Sequence, residues 1–273
     1  AMEDPGYNGT RHTMKQNHFH ITPIPVENDG ISIKELQNLF QTLLYVTPSH
    51  QFPMGSVLSI TKRLQLLEWA EKNNGYIIED DYDSELRLGG KPIPTLQSID
   101  VSDKVIYMNT FTKTLSSTVR ISYMVLPASL TELFYKKLSF YSCTVSNFEQ
   151  YTLARFMESG SFEKHINRLR NYYQNKRDAI LEIFKTAPLD QYITIKEEDS
   201  GVHFMMKLKT ERTEMDMMSD SKSKGIKLAP LSKYFVDQTS NMNFQNVYVM
   251  NYSSIDLEQL PLIFDALCQV LIK

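Results

Sequence analysis

The sequence contains little cysteine, no long apolar run and no excess of positive charge. Its two cysteines, Cys143 and Cys268, are far apart and match no metal-binding spacing, so we expect reduced thiols and no metal site. No apolar run approaches the roughly 18 residues of a membrane span. No signal-peptide pattern opens the chain, which favours a cytoplasmic protein. The net charge of −3 argues against DNA binding by these residues, because phosphate neutralisation dominates the affinity of such domains.

The first part of the chain alternates short apolar segments with a helical pattern. Leu43 to Val46, Tyr76 to Glu79 and Val105 to Met108 read as strands, and a helix is expected from about Ser56 to Asn73. Such alternation predicts an α/β domain with a mostly parallel sheet flanked by helices. Ligands of these sheets lie beyond the carboxyl ends of the strands, so the loops after the three segments form the candidate site.

The second part of the chain is first helical and then rich in short strands. Helical patterns cover about 130–140 and 148–185, and a final helix is expected at about 256–271. Four strands are expected between them, at Tyr192 to Lys196, His203 to Leu208, Ile226 to Leu228 and Val247 to Asn251. We therefore expect a large domain over 1–160 and a smaller α+β domain over 161–273, with a long connecting helix at about 161–185.

Lys113 stands in an expected strand-to-loop turn, NTFTKTLSSTVR, among hydroxyl side chains and ahead of Arg120. A lysine that forms a Schiff base has to be held near a carbonyl group and partly desolvated, which lowers the pKa of its amine. Hydroxyls and a guanidinium suit a phosphate group, which accepts several charge-assisted hydrogen bonds. An ordinary surface lysine is the alternative interpretation of this segment taken alone.

An acidic cluster, Glu79 to Asp83, follows the second of the three strands. A carboxylate at this position can keep the ring nitrogen of a heteroaromatic cofactor protonated, and Tyr82 can hydrogen-bond a phenolic oxygen of the same ring. Tyr7, at the end of the turn-forming segment Glu3 to Tyr7, can stack on a planar ring. A solvated acidic turn, a metal-binding loop and a packed tyrosine are the alternatives for these two segments.

Four segments together resemble the C-terminal, aminotransferase-like domain of MocR/GabR-type bacterial regulators of the GntR superfamily: EDPGYNGTR, TPSHQFPMGSVLSITKRLQLLEWA, IIEDDYDSE and NTFTKTLSSTVRISYMVLP. The resemblance covers essentially the whole chain. It is specific, because aminotransferases proper usually carry an Asn-Pro-containing loop where this sequence has TPSHQFPMG. It implies the fold-type I architecture of class I/II aminotransferases, with pyridoxal 5′-phosphate as the cofactor and a homodimer as the assembly.

The resemblance also implies roles for individual residues around the cofactor ring. Lys113 would form the Schiff base. Asp80 would pair with the pyridine nitrogen, and Asp81 is the less favoured choice for that role. Tyr82 would reach the O3′ oxygen of the cofactor, and Tyr7 would stack on its ring.

Further roles concern the phosphate and the effector. Thr110, Thr112 and Arg120 would hold the cofactor phosphate. Arg11, just after the stacking tyrosine, is a candidate for binding the carboxylate of an effector. His50 and Gln51 are further effector-binding candidates, because their loop would lie near the edge of the cofactor.

The sequence departs from this pattern in two ways. Such regulators have an N-terminal winged helix-turn-helix domain, a linker and an opening segment of the large domain whose backbone cradles the phosphate. None of these precedes Glu3, so we expect the N-terminal part of the fold to be missing here and the cofactor to bind weakly or not at all. No arginine follows Arg212, whereas class I aminotransferases hold the substrate carboxylate with a late arginine. Ser116 to Thr118 also replaces the usual Ala-Pro-Gly.

Three functions remain open at this point. The leading hypothesis is a sensing domain that responds to an amine, an amino acid or pyridoxal phosphate by Schiff-base exchange and a domain shift. DNA would be bound only through the N-terminal domain. The alternative is a pyridoxal-phosphate-dependent aminotransferase acting on an amino acid, although the missing late arginine argues against efficient turnover. The third is a degenerate fold that serves dimerisation alone.

Overall fold

The computed structural model describes residues 1–40, 42–89, 93–196, 201–237 and 244–272. Its strands are β1 (Met2–Asp4), β2 (Pro23–Glu27), β3 (Gly30–Ile31), β4 (Leu43–Val46), β5 (Tyr76–Asp80), β6 (Val105–Thr110), β7 (Ser122–Val125), β8 (Ile193–Lys196), β9 (His203–Leu208) and β10 (Val247–Asn251). Its α-helices are α1 (Asn8–Gln16), α2 (Ile33–Gln37), α3 (Ile60–Lys72), α4 (Leu96–Ile99), α5 (Ala128–Leu138), α6 (Asn147–Glu158), α7 (Ser161–Phe184), α8 (Glu214–Ser223) and α9 (Leu260–Leu271). Short 3₁₀ turns connect several of these elements.

The larger sheet has the strand order β3-β2-β1-β4-β5-β6-β7. The five inner strands, β2, β1, β4, β5 and β6, run parallel. The two outer strands, β3 and β7, pair antiparallel with their neighbours. The mostly parallel sheet predicted from the sequence is therefore confirmed. Because β1, β4, β5 and β6 are adjacent and parallel, their carboxyl ends open at one edge of the sheet, where the candidate residues lie.

Helix α3 shows how the sequence builds the core beneath this sheet. Its start is fixed by Ser59, whose hydroxyl accepts a hydrogen bond from the backbone N–H of Lys62. Leu66, Trp69 and Ala70 recur at helical spacing and are buried against the apolar strands. Burial of each large side chain is worth about 2 kcal/mol, so this face anchors the helix on the sheet.

The smaller sheet has the order β10-β9-β8 and is antiparallel throughout. Its core joins apolar side chains of α7, α8 and α9 to residues of β9 such as Phe204 and Leu208. Helix α7 has 24 residues and occupies the segment where a long connecting helix was expected. Within the residues described, none of the helices is both long and apolar enough to cross a bilayer.

The expected strand at Ile226 to Leu228 is wrong. After α8 the chain turns at Gly225, which has a positive φ of 82°, and then runs as an unpaired connector with Leu228 buried. An isolated antiparallel β-bridge between Pro230 and Tyr248 joins the end of this connector to β10 of the smaller sheet. The strand was predicted from apolar character alone, and a buried segment that pairs with no strand has the same apolar character.

Candidate functional site

The ends of four adjacent strands bring most of the sequence-predicted residues to one edge of the larger sheet. Tyr7 follows β1, His50 lies in the loop after β4, and Asp80 is the last residue of β5. Tyr82 lies two residues beyond β5, and Lys113 lies in the turn after β6. In sequence these residues span more than one hundred positions, and the parallel topology makes them neighbours.

Asp80 is held by a hydroxyl relay that the sequence reasoning missed. The phenol of Tyr45, in β4, donates a hydrogen bond to the Asp80 carboxylate, and the hydroxyl of Thr10 donates to the Tyr45 oxygen at 3.2 Å. Burial raises the pKa of Asp80, and the hydrogen bond from Tyr45 opposes that rise. Burial likewise raises the pKa of Tyr45 well above its usual value, so its proton stays available for donation.

Asp81 faces a different set of partners from Asp80. Its Oδ2 atom accepts hydrogen bonds from Ser84 Oγ and from the phenol of Tyr107, both at 2.8 Å. Consecutive residues at a strand end point to opposite faces, which is why two neighbouring aspartates have unrelated surroundings. The pairing of Asp80, rather than Asp81, with a cofactor ring stays a prediction.

Lys113 lies in the loop that reverses the chain between β6 and β7. The turn is closed by hydrogen bonds from Phe111 N to Ile121 O at 3.0 Å and from Leu115 N to Phe111 O at 2.9 Å. The side chain of Lys113 is half-buried. Its positive charge lowers the pKa of Asp83 against the larger effect of burial, and lowers the pKa of His203 in the same direction as burial does. The amine is thus partly withdrawn from water beside the carboxyl ends of the strands.

The hydroxyls expected to hold a phosphate lie together at the start of this turn. Thr110 Oγ1 and Thr112 Oγ1 are 2.9 Å apart, and Thr110 Oγ1 also accepts from the backbone N–H of Thr112 at 3.3 Å. Arg120 is exposed at the other end of the loop. Two adjacent hydroxyls and an accessible guanidinium are suitable donors for a phosphate, so these residues fit the cofactor that the resemblance implies.

Tyr7 is 51% exposed and its ring lies over the first turn of α1. A Cβ atom at Gly9 would lie 2.6 Å from Cε1 of the Tyr7 ring, so only glycine allows this placement. The ring of Phe52 meets Tyr7 edge-on, with centroids 5.7 Å apart. About half of the Tyr7 side chain is exposed, and its stacking on a planar ligand stays a prediction.

Tyr82 is turned toward the loop after β4. Its hydroxyl donates to the backbone oxygen of His50 at 3.0 Å and lies 3.3 Å from Nδ1 of the same residue. The phenol thereby joins the ends of β4 and β5. Its contact with a cofactor oxygen stays a prediction, since the hydroxyl oxygen can still accept a hydrogen bond.

Arg11 and Gln51 both make structural contacts. Arg11 Nη2 donates to the backbone oxygen of Tyr234 at 2.7 Å and lies 3.4 Å from Asp4 Oδ1. Gln51 is 1% exposed, and its amide donates to the backbone oxygens of Pro5 and Phe52 at 2.9 and 2.8 Å. These contacts tie together loops around the site, and the effector-binding roles of both side chains stay predictions.

A buried cluster of His50, Asp83 and His203 joins the two parts of the structure, and the sequence did not predict that these residues meet. His50 Nδ1 and Asp83 Oδ2 are 2.8 Å apart, and the rings of the two histidines stack with centroids 4.3 Å apart. Gly201 leaves room for them, because a Cβ there would lie 2.6 Å from the His50 ring. Asp83 belongs to the acidic cluster that drew attention, whereas nothing in the sequence marked His203.

Burial sets the charge of this cluster. It raises the pKa of Asp83 to about 8 and lowers the pKa values of His50 and His203 to about 3. Burial disfavours the charged form of both His50 and Asp83, and their 2.8 Å contact has the geometry of a hydrogen bond and of an ion pair.

The same three residues offer atoms within 4.8 Å of one another, a spacing that a metal ion can bridge. Metal ligation needs the in-plane lone pairs of both rings to converge on one point. The planes of these stacked rings are only 28° apart, so their lone pairs do not converge. We assign the cluster to packing between the two parts of the chain.

Comparison with known proteins agrees with the geometry. The sequence matches the Aminotransferase class I and II family over residues 1–257. It is 42% identical over 232 residues to the uncharacterized HTH-type transcriptional regulator YdeL of Bacillus subtilis, covering 85% of this chain and 50% of that protein. It is 32% identical over 255 residues to the probable rhizopine catabolism regulatory protein MocR of Rhizobium meliloti, covering 93% of this chain and 51% of that protein.

The fold is also similar to that of solved aminotransferases. A kynurenine aminotransferase of Pyrococcus horikoshii, crystallised in complex with PMP, superposes with a TM-score of 0.84 at 23% identity, covering 99% of this chain and 68% of that one. This likeness confirms the fold-type I architecture. The chain spans about half the length of the curated relatives that it matches.

Proposed function

The chain belongs to the class I and II aminotransferase family, and from that premise we propose that it is the effector-sensing domain of a MocR-type bacterial transcription regulator. Its resemblance to such regulators, first inferred from four sequence segments, is confirmed by the relatives at 42% and 32% identity. In this proposal the aminotransferase fold binds pyridoxal phosphate and detects a small amine or amino acid.

The observation that carries the proposal is the meeting of Lys113, Asp80 and the Thr110–Thr112 hydroxyl pair at one sheet edge. Those residues supply an amine, a carboxylate and phosphate donors, which is the set that this cofactor needs. When bound, the cofactor supplies an aldehyde carbon that condenses reversibly with primary amines, so an effector amine can compete there with the amine of Lys113.

Asp80 and Tyr45 would orient the ring. The Asp80 carboxylate accepts one hydrogen bond from Tyr45 and keeps capacity for a second donor, the ring nitrogen of the cofactor. Tyr7 would cover one face of the ring and exclude water from it. Thr110, Thr112 and the exposed Arg120 would hold the phosphate at the start of the turn that carries Lys113.

Sensing rather than turnover is supported by the arginine distribution. No arginine follows Arg212 in the sequence, and β10, where a carboxylate-binding arginine of an aminotransferase is expected, offers none. A bidentate guanidinium is hard to replace when a substrate carboxylate has to be held through many cycles. An effector that binds and dissociates unchanged makes a weaker demand on the site.

The remaining elements of the proposal concern the whole protein. An effector shifts a conformational equilibrium only through different affinities for its two states, so the smaller sheet region has to move relative to Lys113. DNA would be bound by a winged helix-turn-helix domain outside these residues, the protein would be a homodimer, and its place would be the bacterial cytoplasm.

The alternative function is a pyridoxal-phosphate-dependent aminotransferase, which the family match itself favours. The two functions differ in turnover. An aminotransferase converts an amino acid and a keto acid continuously, whereas a sensor exchanges amines without accumulating product. A degenerate fold kept for dimerisation differs from both, because it never acquires the cofactor.

The test uses the natural gene product that contains these residues, reconstituted with pyridoxal phosphate. We expect a visible imine absorption band that is lost in Lys113→Ala and retained in Lys137→Ala, a matched exposed lysine on α5. Added amines should shift the band without sustained formation of keto acid. Sustained conversion would establish the enzyme instead, and a protein that shows no band at saturating cofactor would support the degenerate fold.

A further inference from the structure

A cavity of about 320 Å³ opens near the site described above. It lies between the loops that follow β4 and β5 and the middle of α7. Its wall carries both negative and positive side chains as well as hydroxyls. The charged and titratable residues that matter here are His50, Asp81, Asp83, Glu85, Arg87 and Arg170.

Two carboxylate oxygens at this cavity have no hydrogen-bond partner within the described part of the chain: Asp81 Oδ1 and Glu85 Oε2. The other oxygen of each group is satisfied, since Asp81 Oδ2 accepts from two hydroxyls and Glu85 Oε1 accepts from Asn109 Nδ2 at 2.9 Å. A buried carboxylate oxygen without a donor costs free energy. A ligand with several N–H donors would remove that cost.

Two arginines of the same cavity wall supply the opposite charge. Arg87 Nε donates to Gly89 O at 2.7 Å, and Arg170 Nε donates to Glu85 O at 2.6 Å. Each of these hydrogen bonds holds one nitrogen of its own guanidinium group. Neither arginine forms an ion pair with Asp81 or Glu85 among the residues that the structure describes. Opposite charges therefore line one cavity without meeting across it.

We propose that this cavity is a second, noncovalent binding site for a small zwitterion that carries a primary ammonium and a carboxylate. The ammonium has three donors for Asp81 and Glu85, and the carboxylate has acceptors for the terminal nitrogens of Arg87 and Arg170. An uncharged ligand would leave both sets of charges unpaired, and an ion of one sign would satisfy only one set.

The site is distinct from the one around Lys113. Asp80 and Asp81 are consecutive at the end of β5 and have separate partners, and the cavity lies on the side of Asp81. Of the residues predicted to hold the cofactor, only Asp81, the less favoured choice for the ring nitrogen, lines this cavity. Of the three effector-binding candidates predicted from the sequence, only His50 lines this cavity. In this proposal His50 lies near an effector, but at a different site from the one predicted.

Because Arg170 lines it, the cavity lies between two separate parts of the chain. Arg170 belongs to α7, whereas Asp81, Glu85 and Arg87 follow β5 of the larger sheet. A zwitterion held from both sides would add bonds between these two parts of the chain. It would stabilise the arrangement in which they are close, independently of any cofactor.

The test measures heats of binding to the 273-residue chain without cofactor, using glycine, β-alanine and 4-aminobutanoate as zwitterions of increasing length. Ethylamine and propionate serve as probes of each charge alone. We expect at least one zwitterion to bind, and each single-charge probe to bind at least tenfold more weakly. Glu85→Gln and Arg87→Gln should each weaken zwitterion binding at least tenfold, whereas Glu158→Gln, an exposed glutamate of α6, should not.

Lys113→Ala separates this proposal from the proposed function. It should abolish the imine band of the cofactor and leave the heat of zwitterion binding unchanged. The proposal is overturned if none of the three zwitterions binds, if Lys113→Ala abolishes binding, or if both cavity variants, folded by circular dichroism, bind as the parent chain does. Failure of the zwitterion proposal leaves the cofactor role of Lys113 open, because the imine band tests that role separately.

Discussion

Tyr45 and Asp80 form a donor–acceptor pair across β4 and β5, with the phenol of Tyr45 donating to the carboxylate of Asp80. The Thr10 hydroxyl donates in turn to the Tyr45 oxygen, so the phenol cannot rotate freely. Since burial raises the pKa of Asp80, this hydrogen bond works against protonation of the carboxylate. Tyr45 is thus a positioning residue for the group expected to pair with the cofactor's ring nitrogen.

Tyr45→Phe should weaken the binding of pyridoxal phosphate by about ten- to a hundredfold at pH 7, because a hydrogen bond to a charged group is worth roughly 1.5–3 kcal/mol. Without that donor the pKa of Asp80 rises further, so the loss should grow as the pH falls. The measurement is a titration of the imine absorption band in the natural gene product at several pH values.

Tyr107→Phe is the matched control for that experiment, since Tyr107 donates to Asp81 instead of Asp80. It should leave the band and its pH dependence close to those of the parent. A larger effect at Tyr107 than at Tyr45 would mean that Asp81 faces the ring nitrogen, which would reverse the assignment.

Much of this site could be predicted from the sequence because its residues follow apolar strands. The position of Asp80 at the end of β5 and of Lys113 after β6 follows from strand patterns and the rule for parallel sheets. Tyr45 was missed for a physical reason. It lies inside an apolar strand, where a tyrosine reads as core, and only the register with β5 brings its hydroxyl to Asp80.

The elements that the sequence pattern did not predict have little apolar signal of their own. β1 has three residues, two of them acidic, and it lies between β2 and β4 because its backbone pairs on both sides. β7 is exposed at every position and pairs with β6 at the edge of the sheet. His203 was invisible for another reason, since its partners His50 and Asp83 are more than a hundred residues away.

Glu3 gives a prediction for stability against pH. Burial raises the pKa of Glu3 to about 7, although its carboxylate accepts hydrogen bonds from Thr47 N at 3.0 Å and Thr47 Oγ1 at 2.8 Å. The folded protein therefore binds this proton more tightly than the unfolded chain does. The resulting stability is complete below about pH 4.5, the usual value, and is lost as the pH rises through about 7.

Glu3→Gln removes this titration and keeps an oxygen for Thr47. Between pH 5 and 8 the unfolding free energy of the parent chain should fall relative to that of the variant by about 3 kcal/mol. Urea unfolding at a series of pH values measures the difference. Glu158→Gln, at an exposed position, should show no such pH-dependent difference, and parallel curves for Glu3→Gln would refute the assignment.

Arg63 and Glu79 form an ion pair that is excluded from water on both sides, with Nη1 and Oε1 3.6 Å apart. Arg63 also donates to the backbone oxygens of Leu58 and Pro48 at 3.1 and 2.8 Å. Arg63→Met should therefore destabilise the chain by about 3–5 kcal/mol, because it leaves a buried carboxylate without its cation.

The matched controls for Arg63→Met use a second substitution and a second ion pair. Adding Glu79→Gln should recover part of the loss, since the amide is neutral. Lys72→Met breaks the exposed pair with Glu68 and should change the unfolding free energy by less than about 0.5 kcal/mol. Equal losses at the buried and exposed pairs would contradict the role given to burial.

Arg11 joins the start of α1 to the segment that contains Tyr234, and this contact predicts a local effect of its removal. Arg11 Nη2 donates to Tyr234 O at 2.7 Å, and the neighbouring Asp4 carboxylate accepts from Val236 N at 2.8 Å. Arg11→Gln should let this segment open more often, and trypsin should cut after the exposed Lys233 roughly tenfold faster, since cleavage follows the population of the open form.

The same variant decides whether Arg11 also binds an effector carboxylate, as the sequence suggested. If the guanidinium acts only on the segment around Tyr234, Arg11→Gln accelerates cleavage. The amine concentration needed to shift the imine band then stays the same as in the parent protein, for amines with and without a carboxylate. If it binds the effector, the variant selectively weakens the response to amines that carry a carboxylate. Arg11→Lys, which keeps the charge but not the fork, should restore little of the slow cleavage in the first case, because a lysine cannot reach both Tyr234 and Asp4 with fixed geometry.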